Sequence, residues 1–273
     1  MKEKLIDKDD VRNLHPIFKG WFGNLLLKML FSLAGINKVN AIYDASKHLT
    51  GRAFELDLLD RLDITRQVEN IDVLDTLPPG AFITVSNHPY GHVDGIILLS
   101  ILTGVRADYK MMVNWMLNEI DTMQEHFIGV NPYSGNKMAT LKSSLSGVKQ
   151  CVTHLREGHP LGFFPAGAMS MPHLTKTEDR EWQPAVLKII RNANVPVVPV
   201  YISGNNSWFF RLLGLINWRV RTVRLLHEVH NKKGKTITIR FGKPVMPEEF
   251  AQFGDIKAFG EYLKQQTYAL KKG

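Results

Sequence analysis

Ala81-Phe82-Ile83-Thr84-Val85-Ser86-Asn87-His88-Pro89-Tyr90-Gly91-His92-Val93-Asp94 begins as an apolar run and ends in two histidines, a glycine turn and an acid. The first six residues are expected to form a buried strand, and the remainder to form its mouth and the start of a helix. A neutral imidazole can take a proton from a hydroxyl. A carboxylate on its other ring nitrogen fixes the tautomer and steadies the imidazolium that forms. His88 and Asp94 are therefore the candidate catalytic pair.

Working outward from this stretch, strand-like runs alternate with helical patterns: 109–114, 127–130 then 137–156, 161–164 then 181–193, 195–202, and 236–241 then 248–270. This alternation predicts an α/β fold with a mostly parallel central sheet flanked by helices. Before it, 20–36 and 40–62 read as helices, so the chain divides into an N-terminal helical, membrane-associating segment, 1–62, and a catalytic domain, 63–273. Ligands of open sheets bind beyond the carboxyl ends of strands. His88, Gly167 and Gly204 each fall just past such an end, which places three segments on one rim.

Composition narrows the partners. Lys and Arg number 34 against 26 Asp and Glu, a formal charge of +8, so an anionic surface is expected beside the protein. No groove-reading motif supports nucleic acid. The one cysteine, Cys151, excludes an internal disulfide and reads as a small core residue. Met1 to Asp10 is charged and has no apolar core of a secretory signal, so a cytoplasmic location is expected. The run Gly20 to Ile36 is interrupted by Lys28 and is short for a spanning helix. Trp21, Phe22 and Leu25 would meet a membrane interface if this helix lies on one, and core packing is the competing reading. Trp208, Phe209, Arg211, Trp218, Arg219 and Arg221 mix aromatic and guanidinium groups in the way interfacial segments do. A core helix with a solvated basic face would show the same pattern.

A second motif, Phe163-Phe164-Pro165-Ala166-Gly167-Ala168-Met169-Ser170, ends an apolar strand in a stiff proline and a permissive glycine. A third run is Val195-Pro196-Val197-Val198-Pro199-Val200. Together with Asn87-His88 and Asp94, these resemble in order and spacing the boxes of the glycerolipid and lysophospholipid acyltransferase superfamily. Two features depart from the usual pattern: five residues rather than four separate His88 from Asp94, and Ala166 stands where a glutamate is common. The segment Phe127 to Tyr133, where an arginine for an acceptor phosphate is expected, has none, and Lys137 and Lys142 are the nearest cations. These features are similar to a bacterial branch that O-acylates lyso-ornithine and lyso-glycine lipids.

That resemblance implies attack of a lipid hydroxyl, deprotonated by His88, on the thioester of acyl carrier protein or coenzyme A, with no further cofactor and no metal. Backbone donors near Gly167 are expected to hold the oxyanion. Asn87, Tyr90, Gly91, Lys137, Phe164, Pro165, Ala166, Gly167 and Ser170 are the implied substrate contacts. Gly91 is expected to let the loop bulge so that Asp94 still reaches the imidazole. The implied location is the cytoplasmic side of the inner membrane, peripheral or monotopic. Three readings compete: acylation of 1-acylglycerol 3-phosphate, a non-catalytic membrane-binding module, and a metal site formed by His88, His92 and Asp94.

Overall fold

The computed structural model describes residues 3–12, 15–131, 137–172, 177–216 and 218–272. Helices α1 (Lys8–Arg12), α2 (Gly20–Leu33), α3 (Ile36–Ser46) and α4 (Gly51–Arg61) come first. Strand β1 (Thr65–Glu69), β2 (Ile83–Ser86), helix α5 (His92–Val105), β3 (Lys110–Asn114), β4 (Phe127–Val130), α6 (Lys137–Arg156) and β5 (Leu161–Phe163) follow. A short hairpin of β6 (Met171–Pro172) and β7 (Thr177–Glu178) precedes α7 (Pro184–Ala193) and β8 (Val197–Ile202). The chain continues through α8 (Trp208–Ile216), α9 (Trp218–His230), β9 (Thr236–Phe241) and α10 (Ile256–Ala269).

The large sheet has the order β1-β9-β8-β2-β5-β3-β4, and every pairing is parallel except β8 with β9. The protein is thus α/β with a mostly parallel sheet, as the alternation of patterns predicts. Burial follows position in the sheet. The all-apolar β8 is buried at every residue, while β9 alternates Thr236-Ile237-Thr238-Ile239-Arg240-Phe241 and buries only Ile237, Ile239 and Phe241. Strand β2 lies between β5 and β8, parallel to both, so the carboxyl ends of these three strands open on the same rim.

Each face of the sheet carries its own core. On one, α5 contributes Ile97, Leu98, Leu99 and Leu102, packed with Val198, Val200 and Ile202 of β8. On the other, Cys151 and Leu155 of α6, Leu187 and Ile190 of α7, and Phe259 and Leu263 of α10 enclose Ile83, Val85 and Phe163. A separate small cluster joins Leu27 and Phe31 of α2 to Val11 and Ile36.

The break expected between 36 and 40 falls slightly earlier, and a second break interrupts the run 40–62, which the sequence reads as continuous. Gly35, at φ +74°, ends α2 and turns the chain by 70° into α3, and a second break separates α3 from α4. The division at 62 is one of sequence pattern and not of packing. Phe54 and Leu59 of α4, Tyr43 of α3 and Leu62 share the α5 core, and the carboxylate of buried Glu55 lies 2.7 Å from His126 Nδ1. Truncating Phe54 to Ala should therefore destabilise the whole domain by about 3–5 kcal/mol in urea unfolding. The exposed Leu33→Ala should change it by less than about 0.5 kcal/mol. An unchanged midpoint for Phe54→Ala would show α4 to be a detachable appendage.

Candidate active site

His88 leaves the end of β2, and Asp94 sits in the first turn of α5. Between them Gly91 adopts φ +88°, ψ −115°, a conformation that side chains rarely tolerate. This kink absorbs the fifth intervening residue. Asp94 is fully buried, and its Oδ2 accepts the N–H groups of Tyr90 (2.8 Å) and Gly91 (2.9 Å), donors that a helix start would otherwise leave unpaired. The same oxygen lies 2.9 Å from His88 Nδ1. The ring N–H is tilted off the direct approach that a full hydrogen bond requires, a common state of catalytic contacts before substrate binds. Burial pushes the Asp94 carboxyl above the ordinary carboxylate range, against the pull of His88 and the two peptide N–H groups.

The second motif meets the imidazole directly. Phe164 stacks on His88 with centroids 3.9 Å apart and planes at 22°, and Ser170 N–H donates to the His88 carbonyl at 2.8 Å. The third strand is tied in through Asn87, whose amide donates to the Ile202 carbonyl (2.9 Å) and accepts from the Ile202 N–H (2.7 Å). Past that strand Gly204, at φ +97°, lies against Tyr90, where a β-carbon would collide with the phenol oxygen. The three boxes are thus stitched into one rim around a histidine whose side chain keeps 19% exposure. An imidazole backed by a buried acid and open on its other nitrogen is equipped for general-base catalysis at a hydroxyl.

A family of proteins described as acyltransferases matches residues 17–273 of this chain. The chain belongs to that family. The enzyme is 27% identical to a lyso-glycine lipid O-acyltransferase of Bacteroides thetaiotaomicron over 274 residues, 97% of each chain. It is 26% identical over 242 residues to a protein of the same name from Phocaeicola vulgatus, covering 86% of this chain and 83% of that one. Among solved structures, the 1-acyl-sn-glycerophosphate acyltransferase PlsC of Thermotoga maritima matches in fold with a TM-score of 0.51 and 16% identity, over 94% of this chain and 90% of that one.

Within this acyltransferase several implied substrate contacts turn out to be internal supports. The Asn87 amide is spent on β8, and the Ser170 hydroxyl donates to Asp179 Oδ1 at 2.6 Å. Tyr90 is buried, its ring 4.9 Å below the Lys232 ammonium. Ala166 is also buried, with its carbonyl accepting from Arg180, and the Pro165 carbonyl accepts the Gln183 N–H. Of the backbone donors near Gly167 expected to hold the oxyanion, the Gly167 N–H itself is already used. Gly167 takes φ +62°, and its own N–H closes a turn onto the Phe164 carbonyl. The side chains of Lys137, Trp218 and Arg219 lie outside the described residues. Trp21, Phe22, Leu25, Trp208 and Phe209 are exposed, and Arg211 is half-buried, whereas Arg221, expected at a lipid surface, is buried. Cys151 is buried in the core, where desolvation pushes its thiol up to about 12 and keeps it inert.

One supporting residue escaped the sequence. Asp179, buried at 3% exposure, accepts from the His88 N–H at 3.3 Å, from Ser170, and from the Trp182 indole, while its own N–H donates to the Tyr268 hydroxyl. Its neighbours Glu178, Arg180 and Glu181 make the stretch look like a solvated loop, and only the nearby Trp182 hints otherwise. Asp94→Asn should cut kcat by about 10³-fold or more, because an amide can favour the wrong tautomer. Asp179→Asn should lower kcat more mildly, with little change in KM. An Asp94→Asn enzyme at full speed would dissociate the acid from catalysis.

Burial, and then proximity to His88, push the His92 imidazole down to about 4. Unfolded histidine takes its proton near 6.5. Between these values the unfolded chain binds the extra proton, so stability falls as pH drops from about 6.5 to about 4, by roughly 3 kcal/mol in all. Urea midpoints at pH 7 and 4.5 should converge in His92→Gln relative to wild type. Parallel losses in both proteins would show that His92 is not the group responsible.

Proposed function

We propose that this acyltransferase moves a fatty acyl group from a thioester donor, acyl carrier protein or coenzyme A, to the hydroxyl of a single-chain membrane lipid. The acceptor is a lyso-amino-acid lipid bearing glycine or ornithine. The single observation that carries the reading is the approach of His88 to buried Asp94 on the rim of the sheet. With Nδ1 turned to the acid, Nε2 takes the hydroxyl proton as the lipid oxygen bonds to the thioester carbonyl carbon. When the tetrahedral adduct collapses, the C–S bond breaks and the imidazolium returns the proton to the departing thiolate. An ester and a free thiol result, with no acyl-enzyme on the path. The names of two relatives favour a glycine-lipid acceptor.

The surface supports a lipid acceptor. Trp21, Leu25, Met29 and Leu33 recur every four residues along α2 and are 81%, 48%, 53% and 63% exposed. On α8, Trp208, Leu212 and Ile216 form a second exposed stripe. Apolar rows of this size left in water are a mark of an interaction surface. Among the described residues no single helix is long and apolar enough to cross a membrane. In this proposal the enzyme sits as a peripheral or monotopic protein on the cytoplasmic face of the inner membrane, seated by these two stripes, and its net charge of +8 favours both anionic lipid and an acidic carrier protein.

Purified enzyme given acyl carrier protein thioester should acylate lyso-glycine lipid, and conversion of 1-acylglycerol 3-phosphate alone would contradict the proposed acceptor. His88→Ala should reduce turnover by about 10³-fold while vesicle binding persists. Full biological function in His88→Ala would point to a non-catalytic membrane module. The double change Trp21→Ser, Leu25→Ser should weaken vesicle sedimentation with His88-dependent turnover of detergent-dispersed acceptor retained. Undiminished sedimentation would remove α2 from the lipid contact.

A further inference from the structure

Arg221 is the conspicuous unexplained charge of the molecule. It lies in α9 at 8% exposure, and its Nε and Nη1 are buried without a hydrogen-bond partner. Arginine does not shed its proton to escape such a site, so a buried bare guanidinium requires an anion. Among the described residues none supplies one. Glu228, on the same helix, is already held by Lys232 Nζ at 3.2 Å and by the N–H and hydroxyl of Ser207. The Phe210 ring, 5.6 Å from the guanidinium carbon, offers a π-face and leaves the in-plane donors free.

The location is built rather than accidental. Gly214 of α8 provides a slot: a β-carbon there would stand 2.8 Å from Arg221 Cδ and 3.3 Å from the Pro172 ring. Pro172 closely follows Ser170, whose N–H holds the His88 carbonyl. One helical turn along α9, Leu225 packs on Gly91, the hinge of the catalytic loop. Arg221 thus stands one helical turn along α9, roughly 5 Å in backbone rise, from the residue that touches the catalytic loop. Arg211 of α8 and Arg224 of α9 also have an unpartnered Nε, so the same two helices carry further cations.

We propose that Arg221 binds the acidic headgroup of the acceptor lipid, its planar fork pairing with the carboxylate of a lyso-amino-acid lipid so that the acyl-chain hydroxyl is presented to His88. This inference rests on the acceptor proposed above. It assigns the counter-charge missing from Phe127–Tyr133 to a different element of the fold. A bidentate guanidinium–carboxylate pair is both strong and directional, which suits orientation of a flexible lipid. A phosphate of the thioester donor presents the same chemistry, and kinetics separate the two sources.

The test compares wild type, Arg221→Gln and Arg221→Lys on lyso-glycine lipid and on its headgroup methyl ester, with acceptor and donor varied separately. Arg221→Gln should raise KM for the free acid by ten-fold or more, leave KM for the ester and for the donor unchanged, and be partly rescued by Arg221→Lys. Equal losses on acid and ester would mark the residue as structural, and a rise confined to donor KM would assign it to the donor's phosphate. Either result overturns the proposal. Gly214→Ala, which displaces the guanidinium and keeps the charge, should reproduce the acid-selective effect, and its failure to do so counts against the site even if Arg221→Gln does not fold. A wild-type enzyme that ignores lyso-glycine lipid would sink the proposed function itself. One that uses acid and ester equally well would sink this inference alone.

Discussion

A fully buried carboxylate facing an imidazole across a glycine kink is the constraint around which this fold is arranged. Asp94 is costly to bury, and three groups compensate it: two peptide N–H donors at the start of α5 and the Nδ1 side of His88. The kink at Gly91 makes that geometry reachable across the five residues that separate His88 from Asp94. Everything on the rim then serves to keep the ring in place. Phe164 lies on its face, Ser170 and Asp179 hold its backbone, and Asn87 fixes the base of the loop to β8. The acyltransferase chemistry therefore depends on three strand ends meeting, which the parallel order β8-β2-β5 guarantees.

Helix α9 links this rim to the surface. Leu225 packs on Gly91, and Lys232, just beyond the helix, lies over Tyr90. The Gly35 turn between α2 and α3 rests against His227 on the same helix, and α8 runs beside it with Arg221 passing over Gly214. The two exposed apolar stripes, on α2 and α8, are therefore both carried by the element that touches the catalytic loop. In the proposed membrane seating this arrangement brings lipid to the rim.

Much of this was legible in the chain. Continuous apolar runs such as Val197–Ile202 mark strands buried on both faces, and the alternating Thr236–Phe241 marks one buried on a single face, because sheet burial is written with a period of two. The His88 and Phe164 motifs announce themselves because unusual backbone needs glycine and proline at fixed places. The break between α3 and α4 was less visible, since it falls inside the run 40–62 that reads as one helix. Asp179 and Arg221 were the hardest to read. Each is a charged residue among other charged residues, and whether such a group is solvated or buried is decided by partners on other elements, such as Tyr268 for Asp179 and Gly214 for Arg221.

The central claim is that Asp94 fixes the tautomer of His88, which nitrogen spectroscopy reports directly. In enzyme labelled with ¹⁵N-histidine, with His88 assigned by comparison with His88→Ala, the neutral ring should carry its proton on Nδ1 and leave Nε2 bare. Replacing Asp94 by Ala should abolish that preference. A resting His88 protonated on Nε2, or one indifferent to the loss of Asp94, would contradict the account.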